Sequence, residues 1–193
     1  MWLKQSMSEP GQDMQYGYVT ARRVLLLVLS VLFLAFLVGA QERQASESDL
    51  KAAFIFNFIR FTEFPATATP DTLKICYAAH EPMAGSLKEL SGKRVGNRQI
   101  RVAPCFSAEE TSTADVVVVG QSAQRYARTL LAAVRGRPVL TVGDFKGFRK
   151  TGGALNLVVE SDRMRFKVNL QAVRQQKLRI HPQLLKLASE IEE

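Results

Sequence analysis

The hydrophobic pattern of the chain changes sharply near residue 40. Residues 24–38 form a run that is apolar except for Ser30, and this run follows the basic pair Arg22-Arg23. Small residues ending in Ala40 separate it from the polar stretch QERQASESD. A basic flank, an apolar core and a small-residue site are typical of a secretory signal, so we predict export with cleavage after Ala40. Residues 41–47 would then be a short linker, and residues 48–193 one folded domain.

An uncleaved membrane anchor is the alternative interpretation of the same run. A helix over residues 24–40 would be roughly 25 Å long, whereas the hydrocarbon core of a bilayer is about 30 Å thick. This length favours a cleaved signal. In both cases the positive flank stays inside, so the rest of the chain is expected in the periplasm, either free or anchored to the inner membrane.

A helix that is apolar on two sides is predicted to open the folded domain. Ser46 and Asp49 have the spacing of a capping box, and Pro65 ends the segment. Because both sides are apolar, both must be covered. Either the helix is enclosed by its own domain, or one side packs against another subunit. The two apolar stripes are Leu50, Phe54, Phe58 and Phe61 on one side and Ala52, Ile55, Phe56 and Ile59 on the other.

Short apolar strands that alternate with helices follow this first helix. Four consecutive valines, Val116 to Val119, are typical of a central parallel strand that is covered on both faces. The alternation of strands and helices favours a parallel α/β sheet. We predict strands at residues 73–78, 99–103, 115–120 and 138–142, and helices at residues 83–90 and 123–134.

The pattern changes again after Gly152-Gly153. The segment ALNLVVE (residues 154–160), the tetrad at residues 160–163 and the segment MRFKVNL (residues 164–170) predict a hairpin. Its second half has one apolar face and one basic face that carries Arg163, Arg165 and Lys167. Two helices, at residues 170–176 and 183–191, are predicted to end the chain. The predicted fold is therefore a single compact α/β domain: a mostly parallel sheet of about six strands with a C-terminal hairpin, flanked by helices.

The charge of the chain narrows the classes of partner. There are 26 Lys and Arg residues against 18 Asp and Glu, which gives a formal net charge of +8. A basic exported domain meets acidic proteins and anionic lipid headgroups rather than chromosomal DNA. We therefore expect no nucleic-acid partner and a weak attraction to an anionic membrane surface.

The sequence contains few residues that could carry catalysis. It has two histidines and two cysteines, and it lacks the nucleophile-elbow, Walker A, dinucleotide-binding and zinc-protease motifs. The sequence thus predicts a protein that is not an enzyme, with no cofactor and no metal site. One candidate ligand loop remains, because Asp144 follows a predicted strand, where α/β sheets tend to bind ligands, and is flanked by Phe145 and Phe148. A turn or capping role for Asp144 is the alternative.

The two cysteines can pair if the protein is exported. Cys76 and Cys105 lie in or just after neighbouring strands of one predicted β-helix-β unit. In an oxidising compartment they could form a disulfide that stabilises the fold by roughly 3–4 kcal/mol. Two buried thiols are the alternative.

Several segments taken together resemble the YfiR family of bacterial periplasmic proteins. The resemblance extends over about residues 48–190, nearly the whole predicted domain. None of the matching segments is catalytic, but their ordered set is specific. They are the stretch from Lys51 to Pro65, Val139–Val142 with Asp144, Gly152-Gly153, Arg165–Leu170, Leu178–Ile180 and Leu184–Ala188.

This resemblance implies a non-enzymatic regulator. Such a protein would bind and inhibit the periplasmic sensor domain of an inner-membrane diguanylate cyclase, which lowers cyclic di-GMP and limits biofilm. It also implies a homodimer with an α/β sheet flanked by helices. A periplasmic small-molecule-binding component of another membrane signalling or transport system, with its ligand at the Asp144–Phe148 loop, is the alternative function.

Two sets of residues are the candidate contacts with a partner or a second subunit. The first is the aromatic stripe Phe54, Phe58 and Phe61, for which plain burial in the core is the competing interpretation. The second is the basic strand with Arg163, Arg165 and Lys167, for which a solvated face is the competing interpretation.

Overall fold

The computed structural model of the protein describes residues 46–65 and 71–193. The predicted signal at residues 1–40 lies outside the described residues, so its cleavage stays a prediction. Within the described ranges, every helix is too short or too polar to cross a membrane. In chain order the elements are α1 (Glu47–Arg60), β1 (Thr62–Glu63), β2 (Thr72–Ala78), α2 (Met83–Lys88), β3 (Arg94–Val95), β4 (Arg98–Pro104), α3 (Ala108–Ser112), β5 (Val116–Val119), a 3₁₀ segment (Gln121–Tyr126), α4 (Ala127–Ala133), β6 (Leu140–Gly143), a second 3₁₀ segment (Arg149–Thr151), β7 (Leu155–Glu160), β8 (Arg163–Asn169), α5 (Leu170–Gln175), β9 (Arg179–Ile180), α6 (Pro182–Leu185) and β10 (Glu190–Glu192).

The main sheet has eight strands in the order β10-β8-β7-β6-β5-β2-β4-β3. Strands β4, β2, β5, β6 and β7 are parallel to their neighbours in this order, β7 and β8 form an antiparallel hairpin, and β10 returns parallel to β8. The predicted α/β class, the mostly parallel sheet and the C-terminal hairpin are therefore confirmed. The sheet has two strands more than predicted, and both are short strands at its edges, β3 and β10. Strands β1 and β9 form a separate antiparallel pair.

Helix α1 begins as the sequence predicts. Ser46 accepts a hydrogen bond from the backbone of Asp49, and the Asp49 carboxylate accepts one from the backbone of Ser46, which completes a capping box. The helix ends at Arg60, and the chain then enters β1 before Pro65. The predicted helix at residues 123–134 is divided into a 3₁₀ segment and α4.

The last predicted helix, residues 183–191, is wrong beyond its first turn. Helix α6 spans only Pro182–Leu185, and Glu190–Glu192 form the edge strand β10. The local sequence suits a helix, but pairing with β8 outweighs that preference. Ser189 donates its backbone N–H to the carbonyl of Phe166 over 2.9 Å and sets the register of the pairing.

The sheet separates two hydrophobic cores, and β5 contributes to both. Val116 and Val118 point into the core that contains α1, while Val117 and Val119 point into the core that contains α4 and the two cysteines. All four valines are fully buried, as expected for a central parallel strand.

Candidate functional site

Cys76 and Cys105 form a disulfide, which confirms the predicted pairing. Cys76 lies in β2, and Cys105 directly follows the neighbouring parallel strand β4. The backbone N–H of Cys105 donates to the carbonyl of Tyr77 over 2.9 Å, and the two Cα atoms are 5.6 Å apart. Both cysteines are buried, so the bond joins the two strands inside the core.

The aromatic stripe of α1 packs mainly against its own domain. The Phe58 ring is fully buried, and its centroid lies 4.9 Å from that of Phe166 on β8. Phe54 is half-buried against the same Phe166 ring, at 6.2 Å, and Phe61 is half-buried beside His181, at 6.0 Å. Core burial therefore accounts for Phe58. A contact role for the outer parts of Phe54 and Phe61 stays a prediction.

The basic face of β8 divides into free and neutralised charges. Arg163 and Arg165 are exposed and form no ion pair with any described residue. Lys167 is half-buried, and its Nζ lies 2.8 Å from a carboxylate oxygen of Glu160 and 3.0 Å from one of Glu190. Of the three basic residues on this face of β8, only the two arginines thus present positive charge without an ion pair among the described residues.

A network of charges that the sequence did not predict anchors the C-terminal strand. Arg149 lies 2.6 Å from Glu190 and 3.1 Å from Glu192, and Lys167 shares Glu190. The hydrogen bonds from Arg149 and then Lys167 lower the pKa of Glu190, and those to Glu160 and Glu190 raise the pKa of Lys167. Sequence reasoning missed this network because it placed Glu190 in a helix over residues 183–191 and predicted no strand that includes Glu192.

Asp144 is held by a lysine from the first helix. Its carboxylate lies 2.8 Å from the Nζ atom of Lys51, which also lies 2.7 Å from Glu47. Burial by itself would lower the pKa of Lys51, but the hydrogen bonds to Asp144 and Glu47 outweigh this effect and raise it. Asp144 thus ties the loop after β6 to α1, a structural role that sequence reasoning did not foresee.

The two aromatic residues of the Asp144 loop are both buried. The rings of Phe145 and Phe148 pack edge to face with centroids 5.3 Å apart, in the core that contains α4. Asp144 and Phe145 also border a surface cleft of about 550 Å³, whereas Phe148 does not. A ligand role for this loop stays a prediction that concerns Asp144 and Phe145 more than Phe148.

The histidines lack the surroundings of a metal site. His181 caps α6, with its Nδ1 accepting the backbone N–H of Gln183 over 3.2 Å, and His80 is exposed. Across residues 46–65 and 71–193, no three His, Cys, Asp or Glu side chains are placed to hold a metal ion together.

Comparison with known families identifies the domain. The model of the DUF4154 family, described as YfiR/HmsC-like, matches residues 48–189. The chain belongs to the YfiR/HmsC-like family. This family is regulatory and non-catalytic, and its members are periplasmic. The match extends from the second residue of α1 to the residue before β10.

Solved structures resemble this YfiR/HmsC-like chain only distantly. A conserved domain protein from Vibrio cholerae O1 biovar eltor is 11% identical with a TM-score of 0.50, over 76% of this chain and 60% of that one. The ABC domain from Streptococcus pneumonia, crystallised in complex with L-Trp, is 10% identical with a TM-score of 0.48, over 75% of this chain and 60% of that one. The chain thus spans about 60% of the length of each. The likeness to the Vibrio protein concerns the fold alone.

Proposed function

We propose that the protein is a periplasmic regulator that binds the periplasmic sensor domain of an inner-membrane diguanylate cyclase and holds the cyclase inactive. The observation that carries this proposal is the YfiR/HmsC-like match over residues 48–189. The mechanism is a population shift: the protein binds the inactive state of the sensor more tightly than the active state. Cyclic di-GMP in the cytoplasm falls as a result.

The disulfide supports a periplasmic location for this activity. Disulfides form and persist in oxidising compartments such as the periplasm and are rare in the cytosol. The Cys76–Cys105 bond lies inside the core between adjacent strands. The apolar run at residues 24–38 is the core of the predicted signal that would direct export.

The exposed arginines of β8 are the proposed contact with the sensor. Arg163 and Arg165 lie on the face of β8 opposite Phe166, the residue that packs on α1. Among the described residues they have no acidic partners like those that neutralise Lys167. A cationic pair of this kind fits an acidic patch on the sensor and speeds its encounter with the protein.

The half-exposed rings of Phe54 and Phe61 are the proposed apolar contacts of a homodimer. Light scattering on the purified protein would measure the mass of this dimer.

Deletion of the gene tests the regulatory role. In the bacterium that encodes the protein, we expect its loss to raise cellular cyclic di-GMP and surface attachment, and a wild-type copy to restore both. The same deletion combined with an inactivated cyclase gene should leave cyclic di-GMP low. A deletion strain with unchanged cyclic di-GMP would contradict the proposal.

Charge-reversal variants in the deletion strain test the proposed surface. Arg163→Glu with Arg165→Glu should fail to lower cyclic di-GMP although the protein accumulates normally. The matched control is Lys74→Glu with Arg101→Glu, which makes the same charge change at exposed positions that face each other on β2 and β4, towards the opposite edge of the sheet. Equal failure of both variants, or full activity of the first, would exclude this surface.

The cleft beside Asp144 favours a second candidate function. In this alternative, the protein binds a small molecule for another membrane signalling or transport system. Two buried acceptor atoms that border it, Oδ1 of Asp144 and Oδ1 of Asn156, have no hydrogen-bond partner among the described residues. A ligand with amine or hydroxyl donors would satisfy them. Thermal unfolding with a panel of metabolites tests this, since a ligand at about 100 times its Kd adds about 2.7 kcal/mol. This stabilisation by the ligand should disappear in the Asn156→Ala variant.

A further inference from the structure

One stretch of the chain is almost free of acidic residues. Between residues 116 and 159 there are seven Lys or Arg residues and a single carboxylate, Asp144. That carboxylate is already paired with Lys51. The stretch therefore concentrates positive charge that its own side chains do not neutralise.

The fold brings five of these cations around two adjoining clefts. The clefts have volumes of about 320 and about 840 Å³, and they share Arg128, Lys150 and Thr151 in their linings. No Asp or Glu lines either cleft, and none of the five cations pairs with a carboxylate within 4.0 Å in the described part of the chain. We call this region the basic cleft, and its cations are Arg125, Arg128, Arg135, Lys146 and Lys150.

Part of the basic cleft lies at the carboxyl ends of two neighbouring strands of the sheet. Part of its lining begins two residues after β5, at Gln121 and Ser122, and part begins two residues after β6, at Phe145 and Lys146. Strands β5 and β6 are parallel neighbours, so their carboxyl ends meet at one edge of the sheet. Ligands of open α/β sheets bind outside such ends at a topological switch point, which in this sheet lies between β5 and its other neighbour, β2.

The side-chain amide of Gln176, which borders the cleft, has a buried acceptor atom without a hydrogen-bond partner among the described residues. Gln176 is 5% exposed, and its Nε2 donates to Oγ1 of Thr141 over 3.1 Å. Its Oε1 is buried and has no partner among the described residues, although the residue lines the smaller of the two clefts. A buried acceptor without a donor costs stability, and a ligand hydroxyl would satisfy it.

We propose that the basic cleft binds a phosphate-bearing ligand. Arginine forks match phosphate oxygens in pairs, and lysines add point charge, so this set suits a phosphate ester better than a single carboxylate. Gln176 accepts a hydrogen bond from a hydroxyl of the ligand. The volume fits a small organic phosphate, and the same chemistry occurs in a soluble phosphate ester and in a phospholipid headgroup. This site goes beyond the proposed function and uses none of the residues assigned to the sensor contact.

Binding of defined phosphates tests the proposal. The full chain is expressed, purified from the periplasm and titrated with glycerol 3-phosphate and with inorganic phosphate by calorimetry. Sedimentation with phosphatidylglycerol vesicles and with phosphatidylcholine vesicles tests the lipid source. Arg128→Gln with Lys150→Gln removes the two cations shared by both clefts. The control, Lys74→Gln with Arg101→Gln, removes the same charge elsewhere, and the circular dichroism of every variant must match the wild type.

The expected result is saturable binding that the cleft variant weakens about 10-fold or more and the control by less than about 2-fold. Saturable binding of glycerol 3-phosphate assigns the site to a soluble ester. Binding to phosphatidylglycerol vesicles alone, with the same dependence on the variants, assigns it to a headgroup. Equal weakening by both variants would overturn the proposal, because net charge alone would then explain the binding. Absence of binding to every probe would also overturn it.

Discussion

At the residue scale, the position of the Phe148 ring explains why residues 143 and 153 are glycines. The ring is fully buried and lies against the Cα atoms of Gly143 and Gly153, where a Cβ on either glycine would collide with it. Gly152 is required for a different reason, since its φ of +94° lies in the left-handed region. The Gly152-Gly153 pair is part of the resemblance to the YfiR family. It thus combines a left-handed turn at Gly152 with the close approach of the Phe148 ring to Gly153.

Gly153→Ala should destabilise the fold by about 1–3 kcal/mol, because the added methyl overfills the space beneath the Phe148 ring. Urea unfolding followed by circular dichroism measures the change. Adding Phe148→Leu to the alanine variant should recover part of the loss, since the smaller side chain leaves room. A Gly153→Ala protein as stable as the wild type would show that the ring can move aside.

Lys51→Met should cost about 2 kcal/mol of unfolding free energy, because it leaves the Asp144 carboxylate buried without its cation. The value lies below that of a fully buried pair because the Lys51 side chain is still 15% exposed. Urea unfolding of Lys51→Met, of the charge-preserving Lys51→Arg and of Lys51→Met with Asp144→Asn measures this. Both comparison variants should be more stable than Lys51→Met, and equal stability of all three would contradict the assigned pairing.

At the element scale, the central strands follow from the sequence and the edge strands do not. The valine run predicts β5 because a β-branched segment suits a strand that is covered on both faces. Residues 190–192 carry no comparable pattern. They form β10 because their backbone pairs with β8, and their glutamates pair with Lys167 on β8 and with Arg149 in the second 3₁₀ segment.

Loss of the disulfide should weaken the link between β2 and β4. Cys76→Ala with Cys105→Ala removes a crosslink between residues 29 apart in the sequence, which predicts a loss of about 3–4 kcal/mol by the chain-entropy estimate. Comparison of urea midpoints for the variant, the oxidised protein and the reduced protein measures it. If reduction lowered the midpoint of the alanine variant as well, the effect would not arise from this bond.

Acid should release the C-terminal strand from its network. The folded-state pKa of Glu190 lies below the ordinary 4.5, so its stabilising effect is complete above about pH 5 and is lost as the pH falls through the lowered value. Glu190→Gln should therefore be less stable than the wild type at pH 7, and the two should converge in strong acid. Urea midpoints between pH 3 and 7 test this. Glu193→Gln, which removes a carboxylate without an ion pair in the described part of the chain, should not change the pH dependence.

At the scale of the whole molecule, the sequence predicted the fold class and the family resemblance but little of the site geometry. The pattern of α1 showed that both sides must be covered, yet not that Phe166 from a distant strand covers Phe58. The basic alternation of β8 did not distinguish Lys167, which pairs with two glutamates, from Arg163 and Arg165, which pair with no carboxylate in residues 46–65 and 71–193. Such differences depend on partners brought together by the sheet. The basic cleft did leave a sequence signal, the scarcity of acids between residues 116 and 159.

Under the proposed function, this domain acts by binding the sensor of a diguanylate cyclase. To test this, the cyclase is isolated from solubilised membranes through its binding to the tagged protein and is reconstituted in nanodiscs. The quantity measured is the rate at which this purified cyclase converts GTP to cyclic di-GMP. Our account predicts that added wild-type protein lowers this rate saturably and that Arg163→Glu with Arg165→Glu does so only at higher concentration. A cyclase rate that stays constant at saturating protein would contradict it.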